Sequence, residues 1–134
     1  MLAGIDPLLT GTLLRYLDAM GHGDKVLVCD AHFPAERLVK SVIEFPGTTA
    51  VRTMEAVTSV LTLDRPVAAT LMDPEGADAP VFELLRDGLP AELEAIEVIG
   101  RFEFYERARD ASVAVRTGET RVFGNVLLHK GVVR

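Results

Sequence analysis

The apolar positions along the chain follow two spacings, and their alternation marks out the elements. Leu8, Leu9, Leu13, Leu14 and Leu17 recur at helical intervals, with Asp6-Pro7 as a cap and first-turn pair before them and Gly21 after them. That arrangement predicts a first helix. Residues 26–30 form an apolar run closed by Asp30 and read as a buried strand, after which Pro34 biases Phe33 to extended backbone. Residues 35–40 fit one helical turn, and residues 41–45 fit a strand closed by Pro46-Gly47. Thr53 is placed to cap a helix running to about Leu63, with Met54, Val57, Val60 and Leu61 on its apolar face.

Pro66 precedes a second buried strand at 67–72, a loop covers 73–79, and Pro80 opens a short helix that Gly88 and Pro90 end. Residues 97–99 read as a strand, 102–109 as a helix, and 112–116 as a strand ended by Thr117-Gly118. The last apolar run, Val126-Leu127-Leu128-His129, reads as a strand with Gly124 and Asn125 at its start. The alternation predicts a single α/β domain over residues 1–134, with a mostly parallel central sheet flanked by helices.

Composition narrows the class. In 134 residues, 49% hydrophobic content supplies one substantial core and not two. A formal charge of −6, from 20 acidic against 14 basic residues without a local Lys/Arg cluster, argues against nucleic acid as a partner. The single cysteine, Cys29, lies inside an apolar run, which excludes an intrachain disulfide and fits packing in a reducing compartment. The amino terminus lacks the pattern of a secretory signal and no run reaches transmembrane length, so a soluble cytoplasmic protein without a membrane partner is expected.

Candidate chemistry gathers in Met20-Gly21-His22-Gly23-Asp24-Lys25-Val26-Leu27-Val28-Cys29-Asp30-Ala31-His32-Phe33-Pro34. His22, between two glycines, is free to reach a cleft and move protons near neutral pH, although spacing alone favours an ordinary surface-loop histidine. Asp30 ends the strand where carboxylates of α/β sheets commonly face ligands; its other reading is a loop or helix cap. At roughly 3.3 Å per residue, an extended stretch separates His22 and Asp30 by about 20 Å or more. Either the loop folds back, or the site is completed in some other way.

His22, Asp30 and His32 match no strong metal-ligand spacing, so no metal is expected. There is no GxSxG elbow, and Gly21-His22-Gly23 lacks the other positions of a phosphate loop. Arg101-Phe102-Glu103-Phe104-Tyr105-Glu106-Arg107 has the periodicity of a solvated charged face, yet the Arg101 guanidinium is also suited to holding several hydroxyl or ring oxygens. Asn125, beside Gly124, suits either a sugar hydroxyl or a turn.

Taken together, Met20-Gly21-His22-Gly23-Asp24, Asp30-Ala31-His32-Phe33-Pro34, Arg101-Phe102-Glu103-Phe104-Tyr105-Glu106-Arg107-Ala108 and Gly124-Asn125-Val126-Leu127-Leu128 resemble the fucose mutarotase and ribose pyranase family, nearer its fucose mutarotase branch. The similarity runs from Ile5 through Val132 in matching order and spacing, and is weakest from Asp73 to Glu97. It implies an α/β subunit in a ring-shaped homo-oligomer, a decamer, with monosaccharide sites at subunit boundaries and no metal or organic cofactor. It also implies an isomerase that interconverts sugar anomers. His22 would be the proton donor, Asp30 and Arg101 would bind substrate hydroxyls, and Phe123, Gly124 and Asn125 would supply further contacts. Family members commonly have tyrosine where this chain has Phe123.

Mutarotation takes a proton from the anomeric hydroxyl and protonates the ring oxygen, giving an open aldehyde that closes on its other face. A histidine with hydroxyl-binding partners suits that task, and the implied sugar is L-fucose or a relative. The rival readings are a ribose-type pyranase, a noncatalytic sugar-binding regulatory subunit, and a metal-dependent aldolase or hydrolase using His22, Asp30 and His32.

Overall fold

A computed structural model of the chain describes residues 1–134. Helices and strands follow one another as α1 Gly11–Ala19, β1 Lys25–Cys29, α2 Ala35–Leu38, β2 Val42–Phe45, α3 Ala50–Thr58, β3 Ala69–Met72, α4 Pro80–Gly88, β4 Ile96–Ile99, α5 Arg101–Ala108, β5 Val113–Thr117 and β6 Val126–His129. All strands join one sheet in the order β2-β5-β1-β6-β3-β4. β2, β5 and β1 are mutually parallel, as are β3 and β4, while β6 runs antiparallel to both its neighbours. This is the mostly parallel sheet that the alternation of elements predicts, with one reversed strand at its middle.

Covering both faces of the sheet explains why its central strands carry apolar runs and no polar alternation. Val26 and Val28 pack with Leu13 and Leu17 of α1, Met54 and Val57 of α3, and Leu85 of α4. Their neighbours Leu27 and Cys29 point the other way, to Leu38 of α2 and Phe104 and Ala108 of α5. Burial pushes the Cys29 thiol well above its usual range, so it stays a neutral packing group. The sheet ends in β2 and β4, whose Glu44 and Val98 are exposed.

Two predicted helix starts are corrected. The first helix begins at Gly11, with the Thr10 hydroxyl accepting the Leu13 N–H. Asp6 instead accepts the Leu8 N–H and both arms of the Arg52 guanidinium, at 2.8 Å each. A partner 46 residues away thus outcompetes the local capping role. In α3 the cap is Thr49, which accepts the Arg52 N–H, and Thr53 lies buried one turn inside, donating its hydroxyl to the Thr49 carbonyl. That helix ends at Thr58, short of Leu63, and the strand expected from residue 67 begins at Ala69.

Where β6 ends, polar groups replace the apolar core. The Thr70 hydroxyl donates to Glu97 at 2.9 Å and lies 2.9 Å from Nε2 of buried His129. A hydroxyl has one proton to give, so the ring must donate Nε2–H to Thr70. Burial, with the Lys25 ammonium nearby, lowers His129 to about 4 from its ordinary 6.5. The unfolded chain therefore takes the proton first, and this contribution to stability, complete above pH 6.5, fades as pH falls towards 4. At pH 5 the loss is about 2 kcal/mol relative to pH 7. Denaturant unfolding at the two pH values should show that loss in the parent protein and not in His129→Gln, which keeps a donor for Thr70.

Candidate functional site

The carboxyl ends of β1 and β3, the start of β6 and the first turn of α5 meet at one end of the sheet. Between them lies a cleft of about 260 Å³ lined by Asp30, His32, Phe33, Met72, Arg101, Tyr105, Val122, Phe123 and Asn125. It falls below the roughly 300–1,000 Å³ of drug-sized pockets and is scaled to a small ligand.

Asp30 is the buried anchor of this cleft. Its Oδ1 accepts the His32 N–H at 3.0 Å, its Oδ2 accepts the Gly124 N–H at 3.1 Å, and its own N–H donates to Asn125 Oδ1 at 2.9 Å. Burial raises the Asp30 carboxyl above its usual range, while the two backbone donors pull it back. Each carboxylate oxygen keeps a lone pair for a ligand hydroxyl. The reversed direction of β6 makes the pairing possible, because it brings the start of the last strand beside the end of the first.

Arg101 is the first residue of α5. Whereas Arg52, Arg107, Arg116 and Arg121 are each paired with a carboxylate, Arg101 makes no ion pair and lies 4.5 Å over the Phe102 ring. Its guanidinium donors are free for ligand oxygens. Phe33 braces the cleft from below, meeting Phe104 edge-on at 5.8 Å and Tyr105 at 5.3 Å. Phe123 lines the cleft at φ 62, a left-handed backbone that an aromatic residue rarely adopts. Gly124 sits behind it, its N–H committed to Asp30, and a Cβ there would stand 3.0 Å from Glu119 and 3.3 Å from Asp30. Of the site residues expected from the sequence, Asp30, Arg101, Phe123 and Asn125 line one cleft together and Gly124 supports it from outside the lining.

His22 is elsewhere. It lines a second cleft of about 360 Å³, with Thr62, Leu63, Asp64, Arg65 and the carboxy-terminal residues Val132, Val133 and Arg134. The two clefts share no residue. The five residues of β1, roughly 16 Å at about 3.3 Å each, separate the His22 loop from Asp30. Within one subunit the loop does not fold back.

The His22 loop is held firmly. The Gly23 N–H donates to the Lys130 carbonyl and the Lys130 N–H to the Asp24 carbonyl, each at 2.8 Å. The Lys130 ammonium caps α1 by donating to the carbonyls of Leu17 and Met20. At Gly23 φ is +86, so the turn that presents His22 depends on a residue without a Cβ. His22 Nε2 lies 2.8 Å from Asp64 Oδ1, and Asp64 is itself fixed by the Arg65 N–H at 2.8 Å. The Arg65 N–H and His22 together hold Asp64 below the ordinary carboxylate range. As an acceptor-only carboxylate, it requires Nε2–H on the neutral imidazole and leaves Nδ1 as the free base.

Asp64 and Tyr105 are the site residues that sequence reasoning did not single out. Asp64 is 42 residues from His22 and carries no motif, whereas Tyr105 was visible inside the Arg101 to Arg107 stretch. No group of three His, Cys, Asp or Glu side chains converges, and no helix is long and apolar enough to cross a membrane.

Fold and cleft define a small α/β protein with a cleft at one end of its sheet that mixes polar and apolar side chains. The chain belongs to the RbsD / FucU transport protein family, which matches residues 3–133. It is similar to the fucose mutarotase of Streptococcus pneumoniae, whose structure is in complex with L-fucose, with 29% identity and a TM-score of 0.91 over 99% of this chain and 100% of that one. It is also similar to FucU from Bifidobacterium longum, with 32% identity and a TM-score of 0.88 over 98% and 99% of the two chains. RbsD of Bacillus subtilis, complexed with D-ribose, shares the fold at 22% identity and a TM-score of 0.82 over the full length of both.

Proposed function

We propose that this chain is a cytoplasmic sugar mutarotase, an isomerase that interconverts the α and β anomers of L-fucose or a related monosaccharide by opening and closing the ring. The family and the likeness to a fucose mutarotase support the class of reaction. The observation that carries the reading is the division of labour between the two clefts. One holds hydroxyl-binding groups, Asp30, Arg101 and Asn125; the other holds a histidine poised by a carboxylate and exposed to solvent.

Neither cleft suffices alone, and a second copy of the chain that sets its His22 over the first copy's Asp30 completes the site. A closed ring of identical subunits, a decamer in this reading, repeats that contact at every boundary. Asp30 and Asn125 take the sugar's hydroxyls, and Arg101 orients the ring. His22 Nδ1 removes the anomeric proton, and the Asp64 carboxylate stabilises the imidazolium that forms. Because the uncatalysed exchange is already quick, the contribution of about 10² to 10⁴ from general acid and base groups is sufficient.

Saturation-transfer NMR between the two anomer signals tests this. We expect exchange faster than in buffer for L-fucose, within a panel that includes ribose, galactose and rhamnose. Exchange at the buffer rate across the panel would overturn the enzyme reading, and calorimetric sugar binding without faster exchange would identify a binding subunit instead. Furanose signals followed in the ribose spectra separate a pyranase from a mutarotase.

A further inference from the structure

Ring opening moves protons at two oxygens, and the histidine accounts for one of them. If His22 Nδ1 takes the proton from the anomeric hydroxyl, another group must give one to the ring oxygen as the bond from the anomeric carbon breaks. The cleft that holds the sugar has a short inventory of donors. Asp30 has each of its oxygens already accepting a backbone N–H, from His32 and from Gly124, which places it as an anchor for hydroxyls and not as the donor to the ring oxygen. His32 donates Nε2–H to the Thr120 carbonyl at 2.9 Å, so its neutral ring has only the acceptor Nδ1 left for a ligand. Arg101 does not release a proton under ordinary conditions. Asn125 is an amide, and Phe123 is a bare ring.

Tyr105 remains. It lines the same cleft, and its ring is fixed edge-on against Phe33 at 5.3 Å and against Phe102 at 6.2 Å. The Arg101 guanidinium lies 6.0 Å from the centre of that ring. No protein group accepts or donates at its hydroxyl within hydrogen-bond distance.

We infer that Tyr105 is the second proton carrier of this site, a catalytic residue that serves the sugar's ring oxygen. The inference rests on the mutarotase reading above. In the opening step His22 Nδ1 takes the O–H proton from the anomeric oxygen, whose electron pair forms the carbonyl. The bond between the anomeric carbon and the ring oxygen breaks, and the Tyr105 hydroxyl gives its proton to that oxygen. After rotation the steps reverse: the phenolate recovers its proton from the attacking hydroxyl, and the imidazolium returns the other to the carbonyl oxygen. No atom or electron is gained or lost over the cycle.

The test is the exchange rate at saturating sugar for wild type, Tyr105→Phe, and Tyr105→Phe combined with Phe123→Tyr. Phenylalanine keeps the edge contact with Phe33, and a thermal melt checks that it does. We expect Tyr105→Phe to lose about 10²-fold or more of the enzymatic enhancement, at the low end of general acid catalysis, while calorimetric sugar affinity changes little. Phe123→Tyr, which returns a phenol to the same cleft, should restore part of the rate. A folded Tyr105→Phe protein that exchanges at the wild-type rate would overturn the role while leaving the mutarotase reading in place. Wild-type protein without exchange overturns the mutarotase reading, and this role with it.

Discussion

With the site completed between copies as proposed, assemblies formed from equal amounts of His22→Ala and Arg101→Ala subunits are expected to regain activity that neither variant shows alone. The two residues line separate clefts at opposite ends of β1, so a site made by one copy's His22 and its neighbour's Arg101 can be intact between two defective subunits. With random pairing around a ring, about one boundary in four carries both wild-type groups. Anomer exchange near a quarter of the wild-type rate is therefore the expected result. Both substitutions are mild for the fold: His22 is exposed, and Arg101 is an exposed residue without an ion pair. A mixture as inactive as its parts would show that each subunit works with its own groups, which the present geometry forbids without refolding the loop. The mixture must be co-folded or co-expressed, since preformed rings need not exchange subunits.

Gly118→Ala is expected to cost the fold at least about 3 kcal/mol, a large share of a domain's net stability. A Cβ at this position would collide with the Pro46 carbonyl oxygen and stand 2.8 Å from its carbon, both backbone atoms of the turn that follows β2. Neither can swing aside as a side-chain tip would. The Gly118 N–H is bonded to the Thr48 carbonyl at 2.8 Å, so the clash also threatens the bond that ties the end of β5 to the start of α3. A melting temperature lower by about 10 °C is the expected reading. A change within a degree or two would mean that the turn after β2 yields freely.

The contrast between these two predictions reflects what the sequence could reveal. Local patterns were legible wherever one element decides them: the apolar run of β1, Pro80 at the first turn of α4, and the alternation that implies a parallel sheet. Non-local choices were not. Asp6 reads as a helix cap until Arg52, from another helix, takes both its oxygens. Thr53 reads as a cap because nothing in its own neighbourhood shows that Thr49 begins the helix. The position and direction of β6 also have no local signal, yet they bring Asn125 to Asp30. Four of the expected site residues line one cleft because short motifs carry them there, while Asp64 stayed hidden because an aspartate is ordinary until a histidine 42 residues away settles on it. Gly118 reads in the sequence only as the end of a strand, since its packing against Pro46 is set by the pairing of β2 with β5.

β6 is short and completely buried, and it runs between the two site regions: Asn125, which precedes it, lines one cleft, and Lys130, which follows it, bonds to the backbone of the His22 loop at Gly23 and Asp24. In the proposed assembly it would therefore act as a spacer gauge between the two half-sites. Inserting two residues would preserve which side chains face each layer but would lengthen the gauge by about 7 Å. Each subunit would then present its two half-sites at the wrong interval, and a ring that depends on matching them could no longer close on itself. In the proposed ring, the length of one inner strand would thus set the circumference over which copies of this chain cooperate.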